Sequence, residues 1–232
     1  MLTWVVPPRH RTKEYSEDGC YHVYNRGVEK RLIFQDQQDY GVFLSYLKEY
    51  LLPKDKEALM QKLGNPSTPY HEKDSILKAL RLNNFSGEIT LLAYCLMPNH
   101  FHFFLKQKNP NSMDKFIQSI GTRYSMYVNR KYKRVGSLYQ DTYKAVAIVT
   151  EPQFIYLSKY IHKQALASQG YTLQGWQAQP SSYEDYLGKR KTEWVHPEEI
   201  LAYFAKANTA AGYQSFVEDE ELGPIENILL EE

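Results

Sequence analysis

The chain has 232 residues, which is enough for one domain of generous size or one domain with added arms. Hydrophobic residues make up 43% of it and charged residues 24%, a globular composition that excludes wholesale disorder and a collagen-like chain. The 28 basic residues nearly balance the 27 acidic ones, and a net charge of +1 taken alone argues against a protein that coats nucleic acid.

Apolar periodicity and turn residues predict a mixed succession of strands and helices. The segment 54–86, which surrounds two prolines, predicts two short polar helical pieces and is interpreted as an insertion rather than as core. The other predicted elements are a strand at 20–24, a helix at 36–52, strands at 89–96 and 100–105, a helix at 112–132, a strand at 143–149, a helix at 151–168 and a helix near 197–207.

With the insertion set aside, the first six elements follow the order β-α-β-β-α-β. This order is typical of the ferredoxin-like, or RRM-like, α+β fold, an antiparallel sheet with helices on one face. We therefore predict an N-terminal arm at 1–18, a domain at 19–168 with its insertion at about 54–86, and a C-terminal extension at 169–232.

The charges are distributed unevenly along this chain. Segment 99–144 holds nine basic and two acidic residues, whereas segment 213–232 holds seven acidic residues and no basic one. The pattern predicts a nucleic-acid face and a solvated or autoinhibitory acidic tail, the alternative being two solvated surfaces. Two cysteines, no signal-peptide pattern and no membrane-length apolar window predict a cytoplasmic protein. A protein that binds DNA through the predicted nucleic-acid face would be nucleoid-associated when bound.

His100 and His102 lie two positions apart in a predicted strand, so both imidazoles point to the same face of the sheet. Such a pair supplies two metal ligands or simply two stacked polar side chains, and the spacing lacks the further ligands of a structural zinc site. In the helix after the fourth strand, Tyr160 and Gln164 are four residues apart and share one side. The alternative there is an amphipathic helix with a tyrosine at its boundary.

Several segments resemble, in the right order, those of the single-tyrosine HUH transposases, the IS200-like family. Met97-Pro-Asn-His-Phe-His102 resembles the HUH motif, and Tyr160-Ile-His-Lys-Gln164 resembles the helix that carries the nucleophile. The resemblance covers about residues 20–187. Further matching segments are Tyr21–Gly27, Arg134–Asp141 and Ser181–Leu187, the last resembling the REP-associated tyrosine transposases, the most similar subgroup. Two features depart from the family pattern, namely Tyr139 where a tryptophan is usual and the long insertion.

The resemblance implies an HUH endonuclease fold and a transposase that cleaves and joins single-stranded DNA at hairpins by transesterification. Tyr160 is the implied nucleophile, forming a 5′-phosphotyrosine, and His100, His102 and Gln164 are the implied ligands of one Mg²⁺ or Mn²⁺ ion. Tyr156, one turn earlier, is the competing nucleophile, but Gln164 follows Tyr160 at the family spacing.

The DNA contacts are predicted from charge and aromatic character, with surface solvation or core packing as the alternative for each. His22 is interpreted as a proton acceptor, a DNA contact or a packed strand residue, and His162 as incidental. The phosphate-binding candidates are Arg26, Arg123, Arg130, Lys131, Lys133 and Arg134, and the base-stacking candidates are Tyr139, Tyr24 and Tyr143.

Other functions fit parts of the same pattern. A non-catalytic or domesticated RRM-like protein that binds single-stranded nucleic acid would keep the basic face without needing the tyrosine. A metal hydrolase would use water and form no covalent intermediate. No membrane partner is expected. The long C-terminal extension favours a monomer, although a homodimer, as in compact family members that exchange the nucleophile helix, is the alternative.

Overall fold

The computed structural model describes residues 15–167, 179–204, 209–220 and 223. Four strands and eight α-helices are found in these ranges, together with short 3-10 helices at Val28–Lys30 and Ala202–Phe204. The strands are β1 (Cys20–Arg26), β2 (Ile89–Met97), β3 (His100–Gln107) and β4 (Lys144–Ile148); the helices are α1 (Gln37–Leu51), α2 (Lys56–Gly64), α3 (Tyr70–Arg81), α4 (Ser112–Lys131), α5 (Glu151–Ala167), α6 (Tyr183–Tyr186), α7 (Glu198–Leu201) and α8 (Thr209–Glu218).

The four strands form one antiparallel sheet in the order β2-β3-β1-β4. This is the strand order of the ferredoxin-like fold, so the fold class predicted from the sequence is confirmed. The central strand β3 carries the histidine pair, and β1 lies directly beside it, with Tyr24 opposite His102 and Arg26 opposite His100. Side chains that alternate along β1 and β3 therefore meet on the same face of the sheet.

Helices α1 and α4 cover one face of the sheet and bury its aromatic residues. Phe43 of α1, Tyr124 of α4 and Phe101 and Phe103 of β3 belong to one core cluster. The helical spacing of apolar residues in α1 and α4 predicts these two buried sides. Asp36 caps α1 by accepting a hydrogen bond from the Asp39 amide, and the helix ends before Pro53.

Helix α5 and the C-terminal segments cover the second face as well, so the prediction of helices on one face describes α1 and α4 but not the whole sheet. Leu157 and Ile161 of α5 pack with Phe104 of β3, and Tyr213 and Val217 of α8 complete the cluster. The sheet is therefore a central layer between two helical layers, and the layer formed by α5 lies over the histidine pair.

A β-bulge in β2 helps to attach the C-terminal segment. The register with β3 shifts between Leu91 and Ala93, and the carbonyl of the intervening Leu92 accepts a hydrogen bond from the Tyr186 hydroxyl of α6 at 2.9 Å. Beyond the bulge, the Ser182 amide donates to the Tyr94 carbonyl, and Cys95 forms an isolated bridge with Ser181. The C-terminal segment thus continues the edge of the sheet.

The segment predicted as an insertion forms the helical pair α2 and α3. Helix α2 has no buried residue, and α3 buries only Ile76. The pair therefore contributes little to the core.

Differences from the predicted elements lie mainly at the chain ends. Strand β1 continues to Arg26, two residues beyond the predicted strand, and the predicted helix near 197–207 is the short α7 followed by a 3-10 turn, with 205–207 outside the described residues. Most of the predicted arm 1–18 also lies outside them. Within the described ranges, no helix combines the length and the apolar character needed to cross a membrane.

Candidate active site

His100 and His102 lie together on the face of the sheet that α5 covers. Their ring centres are 4.9 Å apart, His102 is fully buried and His100 is half-buried. Phe101 and Phe103 point into the opposite core, so strand alternation separates an imidazole face from an aromatic face. The two histidines thus lie on the same face of the sheet, as their spacing in the sequence predicts.

Each of these imidazoles uses its Nδ1 atom for a hydrogen bond to a neighbouring side chain. His100 Nδ1 lies 2.6 Å from Asn99 Oδ1, and His102 Nδ1 lies 2.9 Å from His22 Nε2. His102 Nε2 is buried without a hydrogen-bond partner among the described residues. A buried nitrogen without a protein partner is rare in a folded protein, and such an atom can bind an ordered water molecule, an ion or another ligand.

Burial keeps both imidazoles in the neutral form that a metal ligand requires. Loss of solvation lowers the pKa of His100 to about 4, and the nearby Arg26 charge acts in the same direction. Burial lowers the pKa of His102 well below its ordinary value, with smaller effects from His22, His100 and Arg26. At neutral pH each Nε2 can therefore offer a lone pair.

Tyr160 of α5 lies against the histidine pair. Its ring centre is 5.5 Å from that of His102 and 5.9 Å from that of His22, both in edge-to-face orientation, and the residue is 7% exposed. Tyr156, the competing tyrosine, is directed instead toward α8, where its ring centre lies 5.0 Å from that of Phe216. The structure brings Tyr160 rather than Tyr156 to the histidines.

Gln164 is one turn beyond Tyr160 on the same side of α5 and is half-buried. Among the described residues, no group of three or more histidine, cysteine, aspartate or glutamate side chains is arranged to hold a metal ion. The histidine pair would therefore need a ligand of another kind, and an amide oxygen from Gln164 is the one that the sequence predicts. Its role as a ligand stays a prediction.

Arg26 is a basic residue that the sheet places beside the site. It lies opposite His100 at the end of β1, and its Nε atom is buried without a hydrogen-bond partner in the described part of the chain. Two of its neighbours along the strand, His22 and Tyr24, share its side of the sheet. Arg26 is thus a cation with unused hydrogen-bonding capacity next to the histidine pair.

Arg123 and Lys131, two predicted phosphate contacts, lie on α4, which packs on the opposite face of the sheet. Arg123 pairs with Glu49 at 2.9 Å and lies over the Tyr46 ring at 3.7 Å. Lys131 pairs with Asp36 at 2.6 Å and with the fully buried Asp39 at 2.7 Å. Both cations have acidic partners and are distant from the histidine face, so the basic surplus of segment 99–144 is not one DNA-binding surface.

The remaining basic candidates lie around the turn that follows α4. Arg130 and Lys133 are exposed, and Lys133 has a left-handed φ of 50°. Arg134 is half-buried, and its Nη2 atom has no hydrogen-bond partner among the described residues. The turn leads into Leu138, whose carbonyl accepts from the Val28 amide next to Gly27, so it adjoins the end of β1 that carries Arg26.

The three predicted stacking tyrosines are buried, which argues against that role. Tyr139 is 9% exposed and packs edge-on to Phe101 in the core beneath the sheet. Tyr24 is buried beside His22 and His102, and Tyr143 is buried and donates a hydrogen bond to Asp114. A base could stack on these rings only if they left their present packing, so core packing, the alternative interpretation, describes them better.

Sequence reasoning did not identify the contact of Asn99 with His100 or the residue that anchors α5. His22, a candidate from the sequence because of its place on the first strand, contacts His102. His162, which was interpreted as incidental, is fully buried and joins Tyr213 at 2.7 Å and Ser182 at 2.8 Å. Its partners lie 20 and 51 residues away, and no local pattern indicates such contacts.

Comparisons with known proteins found a family and a solved structure to which the chain is similar. The model of the family described as transposase IS200-like matches residues 70–164, from the beginning of α3 to Gln164. A solved REP-associated tyrosine transposase bound to a REP hairpin is similar at 9% identity with a TM-score of 0.49, over 81% of this chain and 96% of that one. No curated protein matches the chain. The resemblance to the IS200-like transposases predicted from the sequence is confirmed over residues 70–164, the segment that contains His100, His102 and Tyr160.

Proposed function

We propose that this chain is a transposase that cleaves and rejoins single-stranded DNA at hairpins in a metal-dependent reaction. The observation that carries the proposal is the position of the Tyr160 ring against His102, whose buried Nε2 has no partner among the described residues. The family match over residues 70–164 supports the same activity. Within the family we propose the REP-associated subgroup, because Ser181–Leu187 resembles it.

The residues at the site fit a divalent cation. His100 and His102 are neutral at pH 7, both have Nδ1 occupied by a neighbour, and Gln164 would add an amide oxygen. Two imidazoles and an amide suit Mn²⁺, and Mg²⁺ is acceptable when water completes the octahedron. Such an ion, when bound, would polarise a phosphate oxygen and keep its full charge because all three ligands are neutral.

Tyr160 would act as the nucleophile on the scissile phosphate. Its Oη forms a bond to phosphorus while the bond from phosphorus to the 3′-oxygen breaks, giving a 5′-phosphotyrosine and a 3′-hydroxyl. A phenol has an ordinary pKa of about 10, so the proton must leave as attack occurs, and the departing 3′-oxygen takes one up. One phosphodiester replaces another, so a 3′-hydroxyl can reverse the step and join strands without ATP.

Arg26 and the basic turn after α4 would bind the DNA backbone. Arg26 has an Nε–H without a partner among the described residues beside His100, where the scissile phosphate would lie, and Arg130, Lys133 and Arg134 would extend the positive charge from there. Charge-assisted hydrogen bonds to phosphate fix the position of a strand but carry no sequence information. Tyr139, Arg123 and Lys131 are not part of this proposed surface.

For the oligomeric state we propose a monomer rather than a homodimer that exchanges the nucleophile helix, on the ground of the long C-terminal extension. The cytoplasmic location indicated by the sequence stays a prediction.

The nucleophile is tested with a pool of 3′-labelled hairpin oligonucleotides with random single-stranded flanks, incubated with Mn²⁺ and resolved under denaturing conditions. A 5′-phosphotyrosine retains the 3′ fragment, so the label should move with the wild-type protein. Tyr160→Phe keeps the packed ring and should lose the adduct completely. Tyr156→Phe, the matched control on the same helix, should keep it.

Two outcomes would contradict the proposal. An adduct or cleavage that persists in Tyr160→Phe would remove Tyr160 as the nucleophile. Binding of hairpin DNA without any adduct in the wild-type protein would favour the non-catalytic RRM-like alternative, and cleavage without an adduct would favour a hydrolase.

A further inference from the structure

A buried pair of imidazoles lies under Tyr160, and only one member of the pair is a predicted metal ligand. His22 and His102 are both fully buried, their rings stack with centres 5.2 Å apart, and His22 Nε2 is 2.9 Å from His102 Nδ1. At this distance one of the two nitrogens must carry the hydrogen and the other must accept it. The direction of this bond fixes the tautomer of both rings.

The surroundings of His102 favour one direction. If His102 carried its hydrogen on Nε2, that buried N–H would have no acceptor among the described residues, which is costly in a dry environment. If the hydrogen is on Nδ1, it is donated to His22 Nε2, and His102 Nε2 presents a lone pair toward the site. The second arrangement removes this unsatisfied donor from His102.

His100 is held in the same way by a different residue. Its Nδ1 lies 2.6 Å from Asn99 Oδ1, an atom that can only accept a hydrogen bond, so the hydrogen is on His100 Nδ1 and the lone pair is on Nε2. Asn99 is itself fixed, because its carbonyl accepts from the Gly27 amide at 2.8 Å and its side chain donates to the Lys30 carbonyl.

We infer that His22 and Asn99 are positioning residues that hold His102 and His100 in the tautomer whose Nε2 atoms bind the metal ion. The inference rests on the proposed function, since it concerns the ligands of the proposed metal site. Residues that fix the ring orientation and tautomer of ligating histidines typically change metal affinity by about 10–100-fold when they are replaced. Neither residue touches the metal in this arrangement, and both act through the ligand that they contact.

The test compares two replacements of His22 in the full-length protein, with Mn²⁺ alone as the ligand. Free Mn²⁺ is followed by electron paramagnetic resonance in a titration at neutral pH. His22→Leu fills the space without an acceptor and should weaken Mn²⁺ binding by about 10–100-fold. His22→Gln offers an amide oxygen to the His102 Nδ1–H and should stay within a few-fold of wild type.

Tyr124→Phe is the matched control, because it removes a buried hydrogen bond, to the Ile33 carbonyl, on the opposite face of the sheet. It should lower stability without changing Mn²⁺ affinity. Asn99→Leu should weaken binding as His22→Leu does, whereas Asn99→Asp keeps the acceptor and should not.

A second readout needs neither metal nor activity. Long-range ¹H–¹⁵N spectra distinguish the tautomers of neutral histidines, and metal-free wild-type protein should show His102 protonated on Nδ1. A wild-type spectrum with His102 protonated on Nε2 would overturn the inference, even if His22→Leu fails to fold.

The titration separates this inference from the proposed metal site. If His102→Ala abolishes Mn²⁺ binding but His22→Leu leaves it unchanged, the positioning role is wrong and the metal site stands. If the wild-type protein binds no Mn²⁺, the metal site itself fails and the inference fails with it. Equal loss in His22→Leu and His22→Gln would also contradict the hydrogen-bond role.

Discussion

Lys131 lies in a run of basic residues, yet its ammonium group is paired with the carboxylates of Asp36 and Asp39. Asp39 is fully buried and accepts hydrogen bonds from Lys131 and from the hydroxyl groups of Tyr127 and Tyr132. Asp36 adds a second carboxylate to the same lysine. The cluster ties the end of α4 to the beginning of α1, so the charge that the sequence assigns to DNA binding stabilises the packing of two helices.

We expect Lys131→Met to lower the free energy of unfolding by about 1–3 kcal/mol, because the buried Asp39 carboxylate loses its charge-assisted partner. Urea denaturation measures the change. Asp36→Asn removes the more exposed carboxylate and should cost less. Unchanged stability in Lys131→Met, together with a loss of hairpin DNA affinity, would instead restore Lys131 as a DNA contact.

The loss of stability caused by Lys131→Met should become smaller as the pH falls. The hydrogen bond from Lys131 is the main cause that lowers the pKa of Asp36 below its ordinary value of 3.8. Stabilisation from Asp36 is therefore complete above that ordinary value and is lost as the pH falls through the lowered one. The stability difference between wild type and Lys131→Met should narrow in acid, and a difference that widens there would contradict this account.

Residue positions on the sheet could be predicted, whereas the partners of charged residues could not. Because side chains alternate between the two faces along a strand, His100 and His102 of β3 lie on one face independently of the rest of the fold. The partners of Lys131 are 92 and 95 residues away, and His22 is 80 residues from His102, so these contacts depend on the tertiary fold. A run of basic residues gives no information about which of them are paired.

At the scale of elements, the turn after β1 packs closely against the connection between β2 and β3. The Gly27 amide donates to the Asn99 carbonyl, and a Cβ atom at Gly27 would lie only 2.3 Å from the Arg31 carbonyl oxygen. The Ile33 and Phe34 amides both donate to the Pro98 carbonyl. This turn therefore supports the β2–β3 connection from which the histidines project.

We expect Gly27→Ala to lower the free energy of unfolding by about 1–3 kcal/mol, since the added methyl group must displace backbone. Gly41→Ala is the control: Gly41 lies inside α1 with nothing within 4 Å of its Cβ position, so alanine should stabilise by about 0.5–1 kcal/mol. Urea denaturation of both variants distinguishes the sites. If both variants changed the free energy of unfolding by the same amount, neither the close packing at Gly27 nor the helix propensity at Gly41 would explain the result.

Elements with strong periodicity were predictable, whereas α6 was not predicted and α7 is shorter than the helix predicted near 197–207. Helix α4 has apolar residues at helical spacing over 20 residues, and its predicted and observed bounds differ by one residue. Helices α6 and α7 have four residues each, which is about one turn and too short for a periodic signal. Their positions depend on contacts with β2, including Tyr186 with the Leu92 carbonyl.

For the molecule as a whole, the C-terminal segment is part of the architecture that positions Tyr160. Tyr213 of α8 is fully buried and hydrogen-bonded to His162 of α5, and Lys163 donates to the Asp219 carbonyl at 2.5 Å. Gly223 approaches the Tyr156 ring so closely that a Cβ atom would lie 2.3 Å from it. The side of α5 away from the sheet is thus covered by part of the predicted C-terminal extension.

Two truncations separate the structural part of this segment from its acidic end. Removal of residues 209–232 deletes Tyr213 and Val217, two buried side chains whose burial contributes about 1.5–3 kcal/mol each, so we expect a loss of about 3–6 kcal/mol and a weaker Tyr160 adduct. Removal of residues 224–232 keeps α8 and deletes Glu226, Glu231 and Glu232 and no basic residue. Urea denaturation and the hairpin adduct assay measure both effects.

The shorter truncation also tests whether the acidic end competes with DNA for the basic residues near the site. If it does, removal of residues 224–232 should raise the affinity for single-stranded hairpin DNA at low ionic strength, and the gain should disappear as salt screens the charges. An affinity that stays the same at every salt concentration would mean that these carboxylates are solvated and do not compete. Because α8 is retained in this variant, a change in affinity cannot be attributed to loss of the packing that holds α5.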